Sequence, residues 1–321
     1  MGKIAYIFPG QGSQYVGMGA AAADEFAAAQ DVFAAADGAL GEKLSALCFH
    51  GPEEALRQTV NTQPAILATS IALWQAFQAG APAPDYVAGH SLGEYAALVA
   101  AGSLAFADAV RTVRTRGQLM EEAVPSGEGA MAAVLGLARE QLADICRDAS
   151  KVHGAVELAN LNCPGQIVIS GTAAGVAAVS EQAKTAGARR VLPLEVSGPF
   201  HSSLMAPAAE RLGDVLNEVD VRDANVSVVS NVSAEPLTRA TDIRAALVRQ
   251  VASPVLWEDS VNWMIAQGVD TFVEIGPGRV LSGLVRKIAR RTTVYSVEDV
   301  QTLRETQEKL QELQQSAEKV Q

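Results

Sequence analysis

A serine between two glycines has the sequence context of a nucleophile, in the segment Gly89-His90-Ser91-Leu92-Gly93. This G-x-S-x-G pattern lies between a predicted strand at residues 86–88 and a predicted helix at 92–101, which holds the hydroxyl on a tight turn. The Leu92 N–H lies at the helix amino terminus, where free donors and the helix dipole stabilise an oxyanion. Ser91 is therefore predicted to be a nucleophile, the alternative being a purely structural turn.

A nucleophilic serine needs a general base, and histidine is the commonest one. His50 and His153 precede glycines in turn-like segments, and His90 adjoins the serine, so its side chain is expected to point elsewhere. His201 follows Gly198-Pro199-Phe200, where the chain is predicted to return to the main sheet, and it is the predicted base. No Asp or Glu is obviously placed to orient it, which leaves a backbone or amide carbonyl for that role.

Arg116 suggests what kind of substrate the serine attacks. At about 100° per residue, the predicted helix at 106–122 places Arg116 near its apolar inward stripe, whereas Arg111 and Arg114 lie on the outer side. A guanidinium near an inner face usually pairs with a carboxylate through its bidentate fork. Two interpretations stay open, a salt bridge to an acid of the protein and a dock for a substrate carboxylate.

Strands and helices alternate at both ends of the chain, which predicts an α/β domain with a mainly parallel sheet. The middle has the order strand-helix-strand-strand-helix-strand, ending in a predicted strand at 191–196, and this order is typical of a ferredoxin-like unit. Near the amino terminus, residues 19–36 predict one Ala-rich helix. The predicted units are a large α/β domain at 1–126 and 198–300, an inserted ferredoxin-like domain at 127–197, and a polar C-terminal helix or tail at 301–321.

The loop at residues 10–14, after the first predicted strand, lacks the third glycine of a dinucleotide fingerprint and the Gly-Lys-Ser/Thr ending of a phosphate loop. It does not predict nucleotide binding, but Gln11 offers an amide donor to a bound acyl group.

The net charge of −11 opposes nonspecific binding to nucleic acid or to an anionic membrane. The three distant cysteines form no disulfide or zinc pattern, which favours a cytoplasmic setting. We expect a monomer.

Six motifs, in this order and spacing, resemble those of the malonyl-CoA:acyl carrier protein transacylases of fatty acid synthesis and of the related polyketide synthase acyltransferases. They are Gly10-Gln-Gly-Ser-Gln14, Gly89-His-Ser-Leu-Gly93, Arg116-Gly-Gln-Leu-Met120, Asn162-Cys-Pro-Gly165, Gly198-Pro-Phe-His201 and Gly276-Pro-Gly278. The resemblance extends from the first strand to about residue 297. The combination is specific although each motif alone is not.

The resemblance implies a hydrolase-like large domain with a ferredoxin-like insert, and transfer of malonyl from malonyl-CoA to an acyl carrier protein without metal or cofactor. Its catalytic residues would be Ser91, His201 and the Gln250 carbonyl, with Gln11 and Leu92 as the oxyanion hole and Arg116, Met120, Asn162 and Phe200 at the substrate. Phe200 departs from the Ser of many stand-alone bacterial members. In the polyketide branch a Phe accompanies malonyl rather than methylmalonyl, so this departure leaves the pathway open.

Basic residues could recruit an acidic carrier protein even though the whole chain is acidic. The predicted docking residues are Lys184, Arg189 and Arg190 in the insert, with Arg286 and Lys287 near the end of the large domain. The alternative is an ordinary solvated surface. Other functions also stay open: a serine thioesterase or hydrolase, a non-catalytic carrier-protein-binding module, and a trans-acting polyketide acyltransferase.

Overall fold

The computed structural model describes residues 2–318. The strands of that part are, in chain order, β1 (Lys3–Phe8), β2 (Tyr86–Gly89), β3 (Gly129–Leu135), β4 (Val156–Cys163), β5 (Gln166–Thr172), β6 (Arg190–Pro193), β7 (Ser227–Val229), β8 (Pro236–Leu237), β9 (Val269–Ile275) and β10 (Thr293–Val297). They form two separate sheets. The chain is therefore a mixed α/β protein.

The helices of the described residues lie between and after these strands. They are α1 (Ala20–Glu25), α2 (Ala27–Leu40), α3 (Leu44–His50), α4 (Glu53–Arg57), α5 (Thr59–Gln78), α6 (Gly93–Ala100), α7 (Phe106–Glu122), α8 (Arg139–His153), α9 (Ala173–Thr185), α10 (Ala206–Asn217), α11 (Ala240–Val251), α12 (Trp257–Ala266), α13 (Val280–Ile288) and α14 (Val300–Glu318). None of them is both long and apolar enough to cross a membrane.

The larger sheet has the order β10-β9-β1-β2-β7-β8 and is parallel except for β8. Its central strand β1 is buried on both faces. Tyr6 and Phe8 pack into one hydrophobic cluster, and Ala5 and Ile7 pack into another. Near-continuous apolar strands of this kind are typical of parallel sheets covered by helices on both sides. Because the strands are parallel, β1, β2 and β7 bring their carboxyl ends to the same edge.

The smaller sheet is antiparallel, in the order β4-β5-β3-β6, and has its own hydrophobic cluster together with α8 and α9. All of these elements lie between Gly129 and Pro193. Strand β4 contacts the segment between α11 and α12, where the Leu161 N–H donates to the Val255 carbonyl at 2.9 Å. The six-stranded sheet, in contrast, confirms the mainly parallel sheet predicted from the sequence.

Several predicted boundaries are wrong. The helix predicted at 19–36 is broken at Phe26, whose φ of −117° and ψ of 117° are extended, into α1 and α2. The strand predicted at 191–196 ends at Pro193, and the chain beyond it lines a cavity instead. The polar C-terminal helix or tail predicted at 301–321 is a helix over its described part, α14, and it buries Leu303 and Leu310. Residues 319–321 lie outside the described part.

Candidate active site

Ser91 stands on the turn between β2 and α6, at the carboxyl edge of the large sheet. Its φ of 50° lies in the left-handed region, which non-glycine residues adopt rarely and which is concentrated at functional sites. The flanking glycines are sterically required, because a Cβ on Gly89 would lie 1.9 Å from the Gly93 backbone and one on Gly93 would lie 2.1 Å from the Phe8 carbonyl oxygen. The sequence context thus forces the serine hydroxyl out of the turn.

Ser91, His201 and Gln250 form a continuous hydrogen-bonded chain. Ser91 Oγ lies 2.7 Å from His201 Nε2, and His201 Nδ1 lies 2.9 Å from the Gln250 carbonyl oxygen. A carbonyl only accepts, so Nδ1 carries the proton and Nε2 is left to accept the serine hydroxyl proton. The backbone carbonyl therefore fills the orienting role for which the sequence offered no acid.

His201 is placed to act as a neutral base. It is 4% exposed, and burial together with the nearby Arg116 charge lowers the pKa of its imidazole to about 3. The ring is therefore uncharged at neutral pH and can accept a proton from Ser91. Its φ of 60° is also left-handed, so Ser91 and His201 both stand on unusual backbone conformations.

The Arg116 guanidinium is buried directly beside the serine hydroxyl. Nη2 donates to Ser91 Oγ at 3.1 Å and to Gln250 Oε1 at 2.9 Å, while Nη1 donates to Gln63 Oε1 at 2.7 Å. Within residues 2–318 no carboxylate lies within 4.0 Å of it, and its Nε has no partner. The alternative of a salt bridge to a protein acid is wrong in this structure.

A cavity of about 100 Å³ opens onto these groups between the two sheets. Four of the sequence-predicted residues line it beside Ser91, Arg116 and His201, namely Gln11, Leu92, Met120 and Phe200. Gln11 Nε2 donates to Thr59 Oγ1 at 3.1 Å, and Leu92 precedes α6, so its N–H is one of those without an acceptor in the helix. Both residues are thus at the cavity wall, with one N–H of the Gln11 amide bonded to Thr59.

Asn162 differs from this group. Its Oδ1 lies 2.8 Å from His90 Nε2, so the amide of the predicted substrate residue is engaged with a neighbouring histidine. Asn160 lines the cavity instead. Strand β4 changes register between Leu158 and Asn160 and again between Leu161 and Cys163, which sequence periodicity does not reveal.

The predicted docking residues are exposed and lie outside the cavity wall. Lys287 Nζ donates to Gln166 Oε1 of β5 at 3.0 Å and so joins α13 to the small sheet, whereas Arg286 donates to the Val294 carbonyl at 3.0 Å. Lys184 pairs with Glu181 at 2.7 Å on α9. Arg189 and Arg190 precede or begin the edge strand β6. Leu135 of β3 pairs with both Gln166 and Arg190, so Lys287 and Arg190 lie at the same end of the small sheet.

A family model described as an acyl transferase domain matches residues 5–321. A malonyl CoA-acyl carrier protein transacylase of Bacillus subtilis (strain 168) is 55% identical over 303 residues, covering 94% of this chain and 96% of that protein. The chain belongs to the malonyl CoA-acyl carrier protein transacylase family. It is an acyltransferase.

Solved transacylases share the whole two-sheet architecture. An acyl carrier protein S-malonyltransferase from Vibrio cholerae superposes with a TM-score of 0.92 at 46% identity, covering 95% of this chain and 99% of that one. A malonyl-transacylase in complex with a type II PKS acyl-carrier protein superposes with a TM-score of 0.93 at 44% identity, covering 96% and 99%.

Sequence reasoning missed several polar residues of this transacylase site. Asn231 Oδ1 accepts from the Ser91 N–H at 2.7 Å, and its Nδ2 donates to the Gly89 carbonyl at 2.7 Å, so one amide clamps the turn. Its position shortly after β7 was an available signal, since strand ends of a parallel sheet meet at one edge. Glu94 and Gln63 carried no such signal because each lies within a helix.

Proposed function

We propose that this chain transfers a malonyl group from malonyl-CoA to the phosphopantetheine thiol of an acyl carrier protein, through a malonyl ester on Ser91. One observation carries the proposal: the buried Arg116 cation donates to the same Ser91 Oγ that is hydrogen-bonded to His201. A plain esterase needs no cation there, whereas a malonyl thioester brings a carboxylate close to its reacting carbonyl. The printed names of the relatives support this assignment.

In the first half-reaction, His201 Nε2 takes the Ser91 proton as Oγ attacks the thioester carbonyl. Gln11 Nε2 and the Leu92 N–H stabilise the oxyanion, and CoA leaves as its thiol with the proton from His201. In the second, His201 takes the proton of the carrier thiol, whose sulfur attacks the malonyl ester. Ser91 is released with that proton. The two half-reactions predict ping-pong kinetics.

The overall organisation that accompanies this function is also a proposal. Residues 1–126 and 198–300 form a hydrolase-like domain, and residues 127–197 form a ferredoxin-like insert. The strand order β4-β5-β3-β6 with two interleaved helices supports the insert. We further propose a monomer acting in the cytoplasm, where buried free thiols such as Cys48 and Cys146 would stay reduced.

Intact-mass spectrometry after brief mixing with malonyl-CoA tests the proposed function. We expect a malonyl adduct on the protein that disappears when a carrier protein is added, with the same mass gained by the carrier. An adduct lost to water at one rate with or without carrier would make the protein a hydrolase. No adduct at all would leave only a non-catalytic binding role.

A polyketide carrier protein is the second candidate acceptor. The solved malonyl-transacylase in complex with a type II PKS acyl-carrier protein favours it, because that enzyme is 44% identical to this chain. Comparing kcat/KM for a fatty acid carrier protein and a polyketide carrier protein would decide between the two pathways.

The carrier protein is proposed to dock near Lys287, Arg190 and the other exposed cations named above. Lys287→Glu is expected to raise the apparent KM for carrier protein roughly five- to tenfold, about 1–1.4 kcal/mol, because a like charge would face an acidic partner. The KM for malonyl-CoA should stay unchanged. Lys151→Glu is the matched control, since Lys151 is an exposed lysine on α8 paired with Asp148. Equal effects on both substrates would refute the docking surface.

A further inference from the structure

The Glu94 carboxyl group lies beneath the proposed nucleophile, and the mechanism above gives it no role. Glu94 stands in the first turn of α6 and is 3% exposed. Its Oε2 accepts from Gln250 Nε2 at 2.6 Å and from the Asn231 N–H at 3.4 Å. Burying a carboxylate is strongly unfavourable unless hydrogen bonds or charges compensate it. Two of its partners, Gln250 and Asn231, also bond to Ser91.

Gln250 connects Glu94 to both His201 and Arg116. Its carbonyl accepts from His201, and its Oε1 accepts from Arg116 Nη2 at 2.9 Å. Its Nε2 faces three acceptors, which are Glu94 Oε2, the Ser91 carbonyl at 3.0 Å and Asn231 Oδ1 at 3.4 Å. A flipped amide would turn its NH₂ group toward the guanidinium. Glu94 is the nearest and the only charged of these acceptors, so it fixes the amide orientation.

Glu94 also supplies the negative charge that acts on Arg116. The guanidinium has only neutral direct partners, and the attraction between the two charges acts across the Gln250 amide. The titratable groups that face Glu94 in the described residues are Arg116 from α7 and the phenol of Tyr95, its neighbour on α6. The remaining neighbours that bond to it are the neutral Gln250, Asn231 and Ser230.

We propose that ionised Glu94 is a positioning residue which, through the Gln250 amide, holds the Arg116 guanidinium and the Ser91 turn in the geometry for malonyl transfer. This inference rests on the proposed function. Glu94 does not line the cavity and does not bond to Ser91 Oγ, so it acts only through other residues. Loss of its charge should therefore affect malonyl transfer more than transfer of an uncharged acyl group, which does not use Arg116.

The titration of Glu94 gives the inference a distinct signature. Burial raises the pKa of its carboxyl to about 7, against the opposing effects of the Gln250 and Asn231 hydrogen bonds and the Arg116 charge. Below that pH the carboxyl is protonated and no longer a charged acceptor for Gln250. Because burial lowers the pKa of His201 to about 3, the base does not titrate in this range. The kcat/KM for malonyl-CoA should therefore rise with pH through about 7, since kcat/KM reports the free enzyme.

Glu94→Gln keeps the shape and removes the charge. We expect its kcat/KM for malonyl-CoA to fall about tenfold at alkaline pH, the scale of a lost hydrogen bond to a charged group. The inflection near 7 should disappear, and the ratio of malonyl-CoA to acetyl-CoA activity should fall. Taking this ratio cancels any titration of the CoA phosphates. Glu274→Gln is the matched control, because Glu274 is a buried glutamate that binds the Leu281 and Ser282 N–H groups outside the cavity.

Glu274→Gln is expected to leave both the ratio and the pH profile unchanged. A folded Glu94→Gln variant with the wild-type profile and ratio would overturn the inference. If that variant does not fold, the wild-type enzyme decides, because a malonyl-to-acetyl ratio independent of pH around 7 would also overturn it. Wild-type protein that forms no malonyl adduct would instead contradict the proposed function itself.

Discussion

Replacing Ser91 with alanine is expected to remove the malonyl adduct and to lower the rate of malonyl transfer by at least about 10⁴-fold. The reason is that Ser91 Oγ is the atom proposed to form the ester, and no other hydroxyl among the described residues is hydrogen-bonded to His201 Nε2. The rate of malonyl appearance on carrier protein and the intact mass of the enzyme check this together.

Ser260→Ala is the matched control for this prediction. Ser260 is also a buried serine, but its hydroxyl donates to the Leu256 carbonyl at the start of α12, outside the cavity. This variant should acquire the full malonyl adduct. If Ser91→Ala acquired the same adduct, the nucleophile would be another residue and the G-x-S-x-G segment would be only a structural turn.

Replacing Arg116 with alanine is expected to lower kcat/KM for malonyl-CoA by about 30-fold or more, since truncating one partner of a buried charge pair costs about 2–5 kcal/mol. Activity toward acetyl-CoA should rise relative to malonyl-CoA, because an uncharged acyl group does not need the cation. Arg116→Lys should recover only part of the malonyl activity, since an ammonium lacks the planar fork. Acylation rates with the two thioesters measure the preference.

Arg114→Ala provides the control from the same helix. Arg114 pairs with Glu42 and Asn61 on the outer side of α7, away from the cavity. Its removal should leave the malonyl preference unchanged. A preference that stays unchanged in Arg116→Ala as well would refute the carboxylate clamp. The proposed function would then lose its main structural support.

Local sequence patterns were sufficient for much of the fold. The helix predicted at 106–122 and the strand predicted at 129–135 have the bounds of α7 and β3 in the structure. Both carry apolar residues at a regular spacing that is visible within one segment. The break at Phe26 and the helix α10 were not predicted, because an extended residue between Ala-rich stretches is decided by packing rather than by local propensity.

The sequence by itself determined which residues could do the chemistry. A serine on a glycine-flanked turn, a histidine after Gly-Pro-Phe and an arginine near an inward stripe are properties of short segments, and the structure places all three around one cavity. Each of these features is visible within one short segment, because a tight turn requires small flanking residues and a helix has a fixed periodicity.

Only the tertiary structure decided how those residues are held. Ser91 and Asn231 lie 140 residues apart, and Glu94 and Gln250 lie 156 apart, yet each pair is joined by a hydrogen bond of 2.7 Å or less. The same folding left Asn162 bonded to His90 rather than at the cavity wall. Hydrogen bonds depend on tenths of an ångström and on the direction of each donor. Those quantities are set by the packing of the two sheets, and no sequence spacing encodes them.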